Sequence, residues 1–477
     1  MFFQCMHLIL RILATTVLLA FGDASHAADA KPNVLFLICD DLNCDLGCYG
    51  HRLVQSPNID RLASRGVRFD RAYCQFPLCG PSRASFMTGL YPDQTLVRGN
   101  RIRIREHLPD VVAMPQLFRR SGYFATRIGK VYHYNVPTHI GTAGHDDPDS
   151  WDYTINPRGC DVDEGLTSAL VRPQELGGKV SWIVSQGSAE EQTDGIAATE
   201  AIEQIKRYAK SKRPFFLAVG LFRPHTPYAA PESYFDKYDV EEIEVPEVPQ
   251  GYLKTLPRGA RRSVSFTPKN LPPTSVAREA IRAYYASVSL ADTQVGRILT
   301  ALKSNGLEEN TIVVFTSDHG YHLGEHGHYK KSTLFENAAR VPLIIAGPGI
   351  SPTATAAPAE MVDLYPTLAE LCGLDPPDFL SGVSLLAAID DPHARPRQAC
   401  LTQKGNAYSI RTARYRYTEW GGDPANAELY DHQTDPEEMI NLANRDDHTE
   451  TVAKLSDLLQ ERIDLARTPP VGIKQVP

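Results

Sequence analysis

Four continuous apolar runs constrain this chain most. They are Asn33 to Cys39, Pro214 to Leu221, Thr311 to Thr316 and Val341 to Ala346, and none alternates apolar with polar residues. Runs of this kind form strands buried on both faces, in a sheet covered by helices on each side. Helical patterns separate them. Asn58 to Arg65 ends at Gly66, a suitable C-cap position, and Thr193 to Lys210 and Val276 to Ser304 place apolar residues at helical spacing. Alternating buried strands and helices predict an α/β fold with a large, mostly parallel sheet flanked by helices. Ligand sites in such folds lie at the carboxyl ends of the strands.

Two regions break this pattern. Residues 135–192 are rich in Gly, Pro and Asp, and residues 239–275 carry many prolines with the basic patch Arg258, Arg261 and Arg262. Both read as long surface insertions of the kind that shape a substrate pocket. Composition shifts again around Pro392 to Pro396; Ala399 to Glu419 then gives short alternating stretches and Thr451 to Ala466 a helix. A small C-terminal α+β subdomain at 393–477 follows, behind a main domain at 28–392.

Residues 1–27 read as a signal peptide. His7 and Arg11 give a weakly basic start, Ile12 to Phe21 a short apolar core, and Ser25-His26-Ala27 a small-x-small cleavage site. The apolar run is short for a bilayer span, so the expectation is an exported, periplasmic or secreted protein with no membrane span after signal removal. The absence of any Asn-x-Ser/Thr acceptor fits a bacterial exported protein. A net charge of -8 argues against a nucleic-acid partner but leaves room for a local cationic pocket. Cys39, Cys44 and Cys48 lack zinc-site spacing and no second Cys/His pair follows, which leaves core thiols or a local disulfide.

Asp40 and Asp41 directly follow the first buried strand, and Asp318-His319-Gly320 follows another. Adjacent carboxylates repel unless a cation or hydrogen bonds hold them. Two strand ends of one parallel sheet can bring these groups together, and mostly oxygen donors favour Ca2+ or Mg2+ over zinc. Cys79-Gly80-Pro81-Ser82-Arg83 opens a helix, with Pro81 in its first turn. Cys79 therefore sits where backbone N–H groups favour an anion. A low-pKa thiol would account for the cysteine but not for Arg83.

The segment Cys79 to Arg83, continued by Ala-Ser-Phe-Met-Thr-Gly-Leu-Tyr-Pro, resembles the C-x-P-S-R signature of the sulfatase family of the alkaline-phosphatase superfamily, especially its iduronate-2-sulfatase branch. The resemblance runs from about residue 32 to 445. It implies that a formylglycine-generating enzyme oxidises Cys79 to formylglycine, and that Asp40, Asp41, Asp318 and His319, together with residue 79 itself, hold one Ca2+. Gly129-Lys130-Val-Tyr-His133 resembles the segment that brings a Lys and a His to the sulfate. Phe222-Arg-Pro-His225 resembles the one carrying a second active-site His. Lys331 stands at the spacing of a second sulfate-binding Lys, with Lys330 as its rival. His319 departs from the Asn of most sulfatases, but the iduronate-2-sulfatase branch, choline sulfatases and phosphonate hydrolases share it.

The implied activity is removal of sulfate from a sulfated carbohydrate, an O-sulfated uronic acid or related glycan. A sulfate monoester repels nucleophiles, so catalysis needs cations on its oxygens and a positioned nucleophile. The resemblance gives those roles to the Ca2+, Lys130 and Lys331, with Arg83 holding residue 79, His225 as general acid and His133 as proton acceptor. A geminal diol has a second hydroxyl whose deprotonation expels sulfate; a plain Ser or Cys does not. Two other readings remain: a phosphonate or phosphodiester hydrolase of the same superfamily, and a non-catalytic protein binding sulfated glycans. Arg98, Arg101, Arg103 and Arg105 are further candidates for polyanion contact.

Overall fold

A computed structural model describes residues 31–163, 170–176, 180–211, 213–266 and 269–477. The expected signal peptide at 1–27 lies outside the described residues. Among them, no helix is long and apolar enough to cross a membrane.

The central sheet is built from β1 (Asn33–Asp40), β2 (Val67–Tyr73), β3 (Phe124–Gly129), β4 (Tyr153–Ile155), β5 (Phe215–Pro224), β6 (Thr311–Ser317), β7 (Arg340–Ala346) and β8 (Thr353–Thr355). Their spatial order is β8-β2-β7-β6-β1-β5-β3-β4, with Ala359–Glu360 also paired to β2. All pairings are parallel except those of β7, which runs antiparallel to both neighbours. Hydropathy marked β7 as buried but carries no strand direction. On β1, Leu35, Leu37 and Cys39 face α3 (Thr193–Tyr208) and α4 (Thr274–Ser304), whereas Val34, Phe36 and Ile38 face α2 (Cys79–Thr88). Helices on both faces explain why the run is apolar throughout.

Two expectations need correction. The 135–192 insertion is partly sheet: β4 extends the central sheet beside β3, and Trp182–Ser185 pairs in parallel with Tyr228–Pro231. Three- and four-residue strands are too short to show periodicity. The first helix, α1 (Pro57–Ala63), stops short of Gly66, which is no left-handed cap. A Cβ on Gly66 would stand 2.4 Å from the Ile345 carbonyl oxygen, so the glycine permits close backbone approach instead. Cys39, Cys44 and Cys48 form no disulfide with one another.

The C-terminal subdomain is an antiparallel sheet of β9 (Cys400–Lys404), β10 (Ala407–Arg411), β11 (Tyr415–Trp420) and β12 (Asp423–Asp431), backed by α5 (Thr449–Arg467). Leu455, Leu459 and Ile463 of α5 lie on one helical face and pack with Leu401, Ile410 and Tyr417.

The carboxyl ends of β6, β1, β5 and β3 are neighbours, and register keeps them level. Cys39 pairs with Ser317, Asp40 with Pro224, and Gly129 with Gly220. Lys130 then folds over β5, its N–H donating to the Gly220 carbonyl at 2.8 Å. A Cβ on Gly220 would stand 2.0 Å from the Lys130 carbonyl oxygen. Gly220→Ala should therefore cost about 1–3 kcal/mol by overpacking, read as a lower urea midpoint. A midpoint equal to the parent's would contradict this packing.

Candidate functional site

Residue 79 opens α2 and faces the strand ends. Its Sγ lies 3.3 Å from His319 Nε2 and 3.9 Å from Asp41 Oδ1. The thiol is 1% exposed. Burial, only partly opposed by Lys331, pushes the Cys79 thiol well above the ordinary cysteine range. A helix N-terminus alone suggested the opposite direction, but desolvation outweighs it here.

Ligand atoms of Asp40, Asp41, Cys79 and His225 lie within 4.8 Å of one another, as do those of Cys79, Asp318 and His319. The two groups share residue 79. His319 Nε2 is 3.4 Å from Asp41 Oδ1 and 3.5 Å from Asp318 Oδ2. Its Nδ1 is 2.9 Å from the Gly320 carbonyl oxygen. A carbonyl only accepts, so Nδ1 carries the proton and the Nε2 lone pair points into the cluster. Three carboxylates plus one correctly tautomerised imidazole, all fully buried, are a fitting donor set for a hard divalent cation.

Asp41 adopts a left-handed backbone, φ 64°. Asp tolerates this conformation better than most residues. Two partners hold it: Asp41 N–H donates to Asp318 Oδ1 at 3.1 Å, and Tyr284 Oη donates to the Asp41 carbonyl at 2.8 Å.

Cations surround these acids. Arg83 Nε donates to Asp318 Oδ2 at 3.0 Å and Nη2 to Asp40 Oδ1 at 3.1 Å. Its Nη1 donates to the carbonyls of Lys130 (2.6 Å) and Val131 (2.9 Å). The resemblance gave Arg83 the task of holding residue 79; the observed partners are the acids and carbonyls at three strand ends. The Lys130 ammonium pairs with Asp40, and Lys331 Nζ reaches Asp41 Oδ1 at 2.5 Å and Oδ2 at 2.8 Å. Of the two rival lysines, Lys331 thus enters the cluster, while Lys330 sits in the short hairpin opposite His322. Burial would raise the Asp40 carboxyl, but Lys130, His225 and Arg83 override it and hold it well below the usual carboxylate range. Asp41 shifts the other way, because burial there exceeds the help from Lys331.

His225 lies between two cis Xaa-Pro bonds, Arg223-Pro224 and Thr226-Pro227. Its Nδ1 donates to the Thr226 carbonyl at 2.6 Å, and its Nε2 is 3.8 Å from Asp41 Oδ2. Burial, then Lys331, hold its pKa well below the ordinary histidine value. His133 is buried behind Lys130. Its Nε2 is 3.3 Å from Asn135 Oδ1, while Nδ1 is buried with no hydrogen-bond partner among the described residues. Burial and Lys130 lower its pKa to about 3.

Several contributors carry no sequence signal. Asn100 accepts from Gly80 N–H at 2.8 Å and steadies the turn that presents residue 79. Tyr284 reads from the sequence as one more apolar face residue of α4. Of the candidate polyanion contacts, Arg98 is paired to Asp93 at 2.6 Å and Arg105 to Asp147 at 2.9 Å, whereas Arg101 and Arg103 stay exposed.

Comparison with known proteins agrees with this arrangement. Residues 32–374 match the family described as Sulfatase, and residues 324–464 match the one described as N-sulphoglucosamine sulphohydrolase, C-terminal. A sulfatase of Formosa agariphila is 34% identical over 445 residues, covering 90% of this chain and 86% of its own length. Human iduronate 2-sulfatase is 32% identical over 528 residues, covering 91% of this chain and 96% of its own. The structure of a phosphonate monoester hydrolase of Agrobacterium radiobacter superposes with a TM-score of 0.74 at 23% identity, over 91% of this chain and 96% of that one, a likeness of fold alone. With the family match spanning more than half its length and relatives alike along nearly all of it, the chain belongs to the sulfatase family of sulfuric ester hydrolases.

Proposed function

We propose that this enzyme removes sulfate from a sulfated carbohydrate, an O-sulfated uronic acid or related glycan, using a formylglycine made from Cys79 and one Ca2+. The observation that carries the reading is the placement of Cys79 Sγ, 3.3 Å from His319 Nε2 inside a ring of buried acids and cations. The uronate preference rests on the human relative's name, iduronate 2-sulfatase. Export and maturation by a formylglycine-generating enzyme complete the proposal.

Cys79 Sγ stands in for the oxygens of the hydrated aldehyde. In that form residue 79 supplies one hydroxyl to accept the sulfuryl group and a second whose deprotonation expels sulfate. Asp40, Asp41, Asp318 and His319 would hold the cation, which supplies Lewis-acid charge for the ester oxygens.

The other residues have roles set by their atoms. The buried Lys130 and the partly buried Lys331 bring two positive charges to an anionic ester, in a site where low dielectric strengthens their effect. Arg83 holds Asp40 and Asp318 on separate nitrogens of one guanidinium. His225 moves a proton at Nε2, since Nδ1 is committed to Thr226. Burial and Lys331 lower its pKa, and an anionic ester beside it would raise its proton affinity. His133 accepts a proton at Nδ1, the buried nitrogen that has no partner among the described residues.

Cys79→Ala should lower turnover of 4-nitrophenyl sulfate by about 10^3-fold or more with a melting temperature close to the parent's. Full turnover by this variant would sink the reading. Hydrolysis of 4-nitrophenyl phosphonate faster than of the sulfate would favour a phosphonate hydrolase instead.

His225→Ala should lose about 10^2–10^4-fold on a saccharide sulfate, whose leaving oxygen needs a proton. Its loss on 4-nitrophenyl sulfate, with a good leaving group, should be far smaller. Equal losses on both substrates would contradict the general-acid role.

Exhaustive chelation should abolish activity and lower the melting temperature, and added Ca2+ should restore both, because a ligand of the native state stabilises it. Unchanged activity in protein shown to be metal-free would remove the cation from the account.

A further inference from the structure

Between Glu247 and Glu279 the sequence has no Asp or Glu, although the chain carries a net charge of -8. The same stretch holds Lys254, Arg258, Arg261, Arg262, Lys269 and Arg278. Arg278 is committed to Glu241 at 2.5 Å. Arg258, Arg261 and Arg262 are exposed on the short helix Arg258–Ser263, and among the described residues their guanidinium groups have no hydrogen-bond or ion-pair partner. Their spacing, i, i+3 and i+4, puts all three on one helical face. Like charges so placed destabilise a helix, and no carboxylate offsets them.

The helix is held firmly in spite of that cost. Ala260, on its inner side, is fully buried with Leu253, Leu256, Phe335 and Tyr430. A Cβ added to Gly259 would stand 2.4 Å from the Trp420 ring, so the helix backbone lies directly on the C-terminal sheet. The segment after it is tied to the catalytic loop. Phe266 N–H donates to the Gly327 carbonyl at 3.0 Å, and Ser265 Oγ and His328 Nδ1 are 2.9 Å apart. His328 Nε2 in turn donates to the Lys331 carbonyl at 2.7 Å, and Lys331 reaches Asp41. The arginines therefore project from the segment that braces the lysine of the site.

We propose that Arg258, Arg261 and Arg262 form a docking face for the flanking, non-reacting anionic groups of a sulfated polysaccharide whose reacting ester occupies the site at residue 79. The inference rests on the sulfatase reading and extends it from an isolated sulfated sugar to a polymeric substrate. Charge complementarity selects the occupant. A polymer with closely spaced sulfates offers a row of anions to a row of fixed guanidinium groups, and displaced counterions drive the association.

The test uses the full mature chain and dextran sulfate as probe. Affinity is measured across a salt series for the parent, for Arg258→Gln/Arg261→Gln/Arg262→Gln, and for Arg207→Gln/Lys210→Gln, which removes exposed cations at and just beyond the carboxyl end of α3. The triple variant should bind about tenfold or more weakly at low salt, and its log-affinity slope against log salt should flatten by about one unit per arginine. The Arg207/Lys210 variant should bind as the parent does. A Lys-for-Arg triple variant, which keeps the charge, should retain most of the affinity. A Gln triple variant that binds like the parent overturns the proposal, as does an equal loss in the Arg207/Lys210 variant. Tighter binding of a single-stranded oligonucleotide than of dextran sulfate also overturns it. Hydrolysis of 4-nitrophenyl sulfate by the parent, run alongside, separates the two ideas: its absence defeats the sulfatase reading, whereas the binding comparison judges the docking face alone.

Discussion

The buried guanidinium of Arg83 ties the parts of this site together. It spans Asp40 at the end of β1 and Asp318 just beyond β6, and it also binds the Lys130 and Val131 carbonyls beyond β3. Because Arg83 lies one helical turn after residue 79 on α2, one side chain fixes the helix of residue 79 against three strand ends. A planar fork with five donors suits this task, and a lysine would not. Removing one partner from a buried ion pair costs about 3–5 kcal/mol, so the arrangement is self-consistent only as a whole.

Around that pivot, charge is balanced locally. Three buried carboxylates face the buried Arg83 and Lys130 and the partly buried Lys331. Each lysine rests on a different aspartate, Lys130 on Asp40 and Lys331 on Asp41. A divalent cation among the acids would free part of this positive charge for an incoming ester. The same logic explains the opposed behaviour of Asp40 and Asp41: Lys130 and Arg83 bond the first and, with His225, outweigh burial, whereas burial prevails at the second.

Much of this was legible in the sequence, because strand ends are. Asp40-Asp41 and Asp318-His319 close two of the apolar runs, and parallel register makes such positions neighbours, whereas Lys130 and His225 were legible only through the family resemblance. Cys79 and Arg83 were legible as a helix start. What the sequence hid depends on contacts distant along the chain. Arg83's partners come from three separate strands. Asn100 and Tyr284 read as ordinary loop and core residues. Gly66 looked like a helix cap because the approach of Ile345 cannot be read locally. The four-residue strand Trp182–Ser185 was too short to register, and the direction of β7 is not encoded in its hydropathy. Of the four candidates for polyanion contact, Arg98 and Arg105 pair with Asp93 and Asp147, partners that sequence spacing does not reveal, while Arg258, Arg261 and Arg262 are exposed together on one short helix.

The account stands on a chemical change at one residue, and its most direct measurement is peptide mass spectrometry of the active enzyme. Protein with full sulfate-ester turnover should yield a residue-79 peptide that has lost its sulfur and reacts as an aldehyde toward a hydrazide. Fully active protein whose peptide contains only unmodified Cys79 would contradict it.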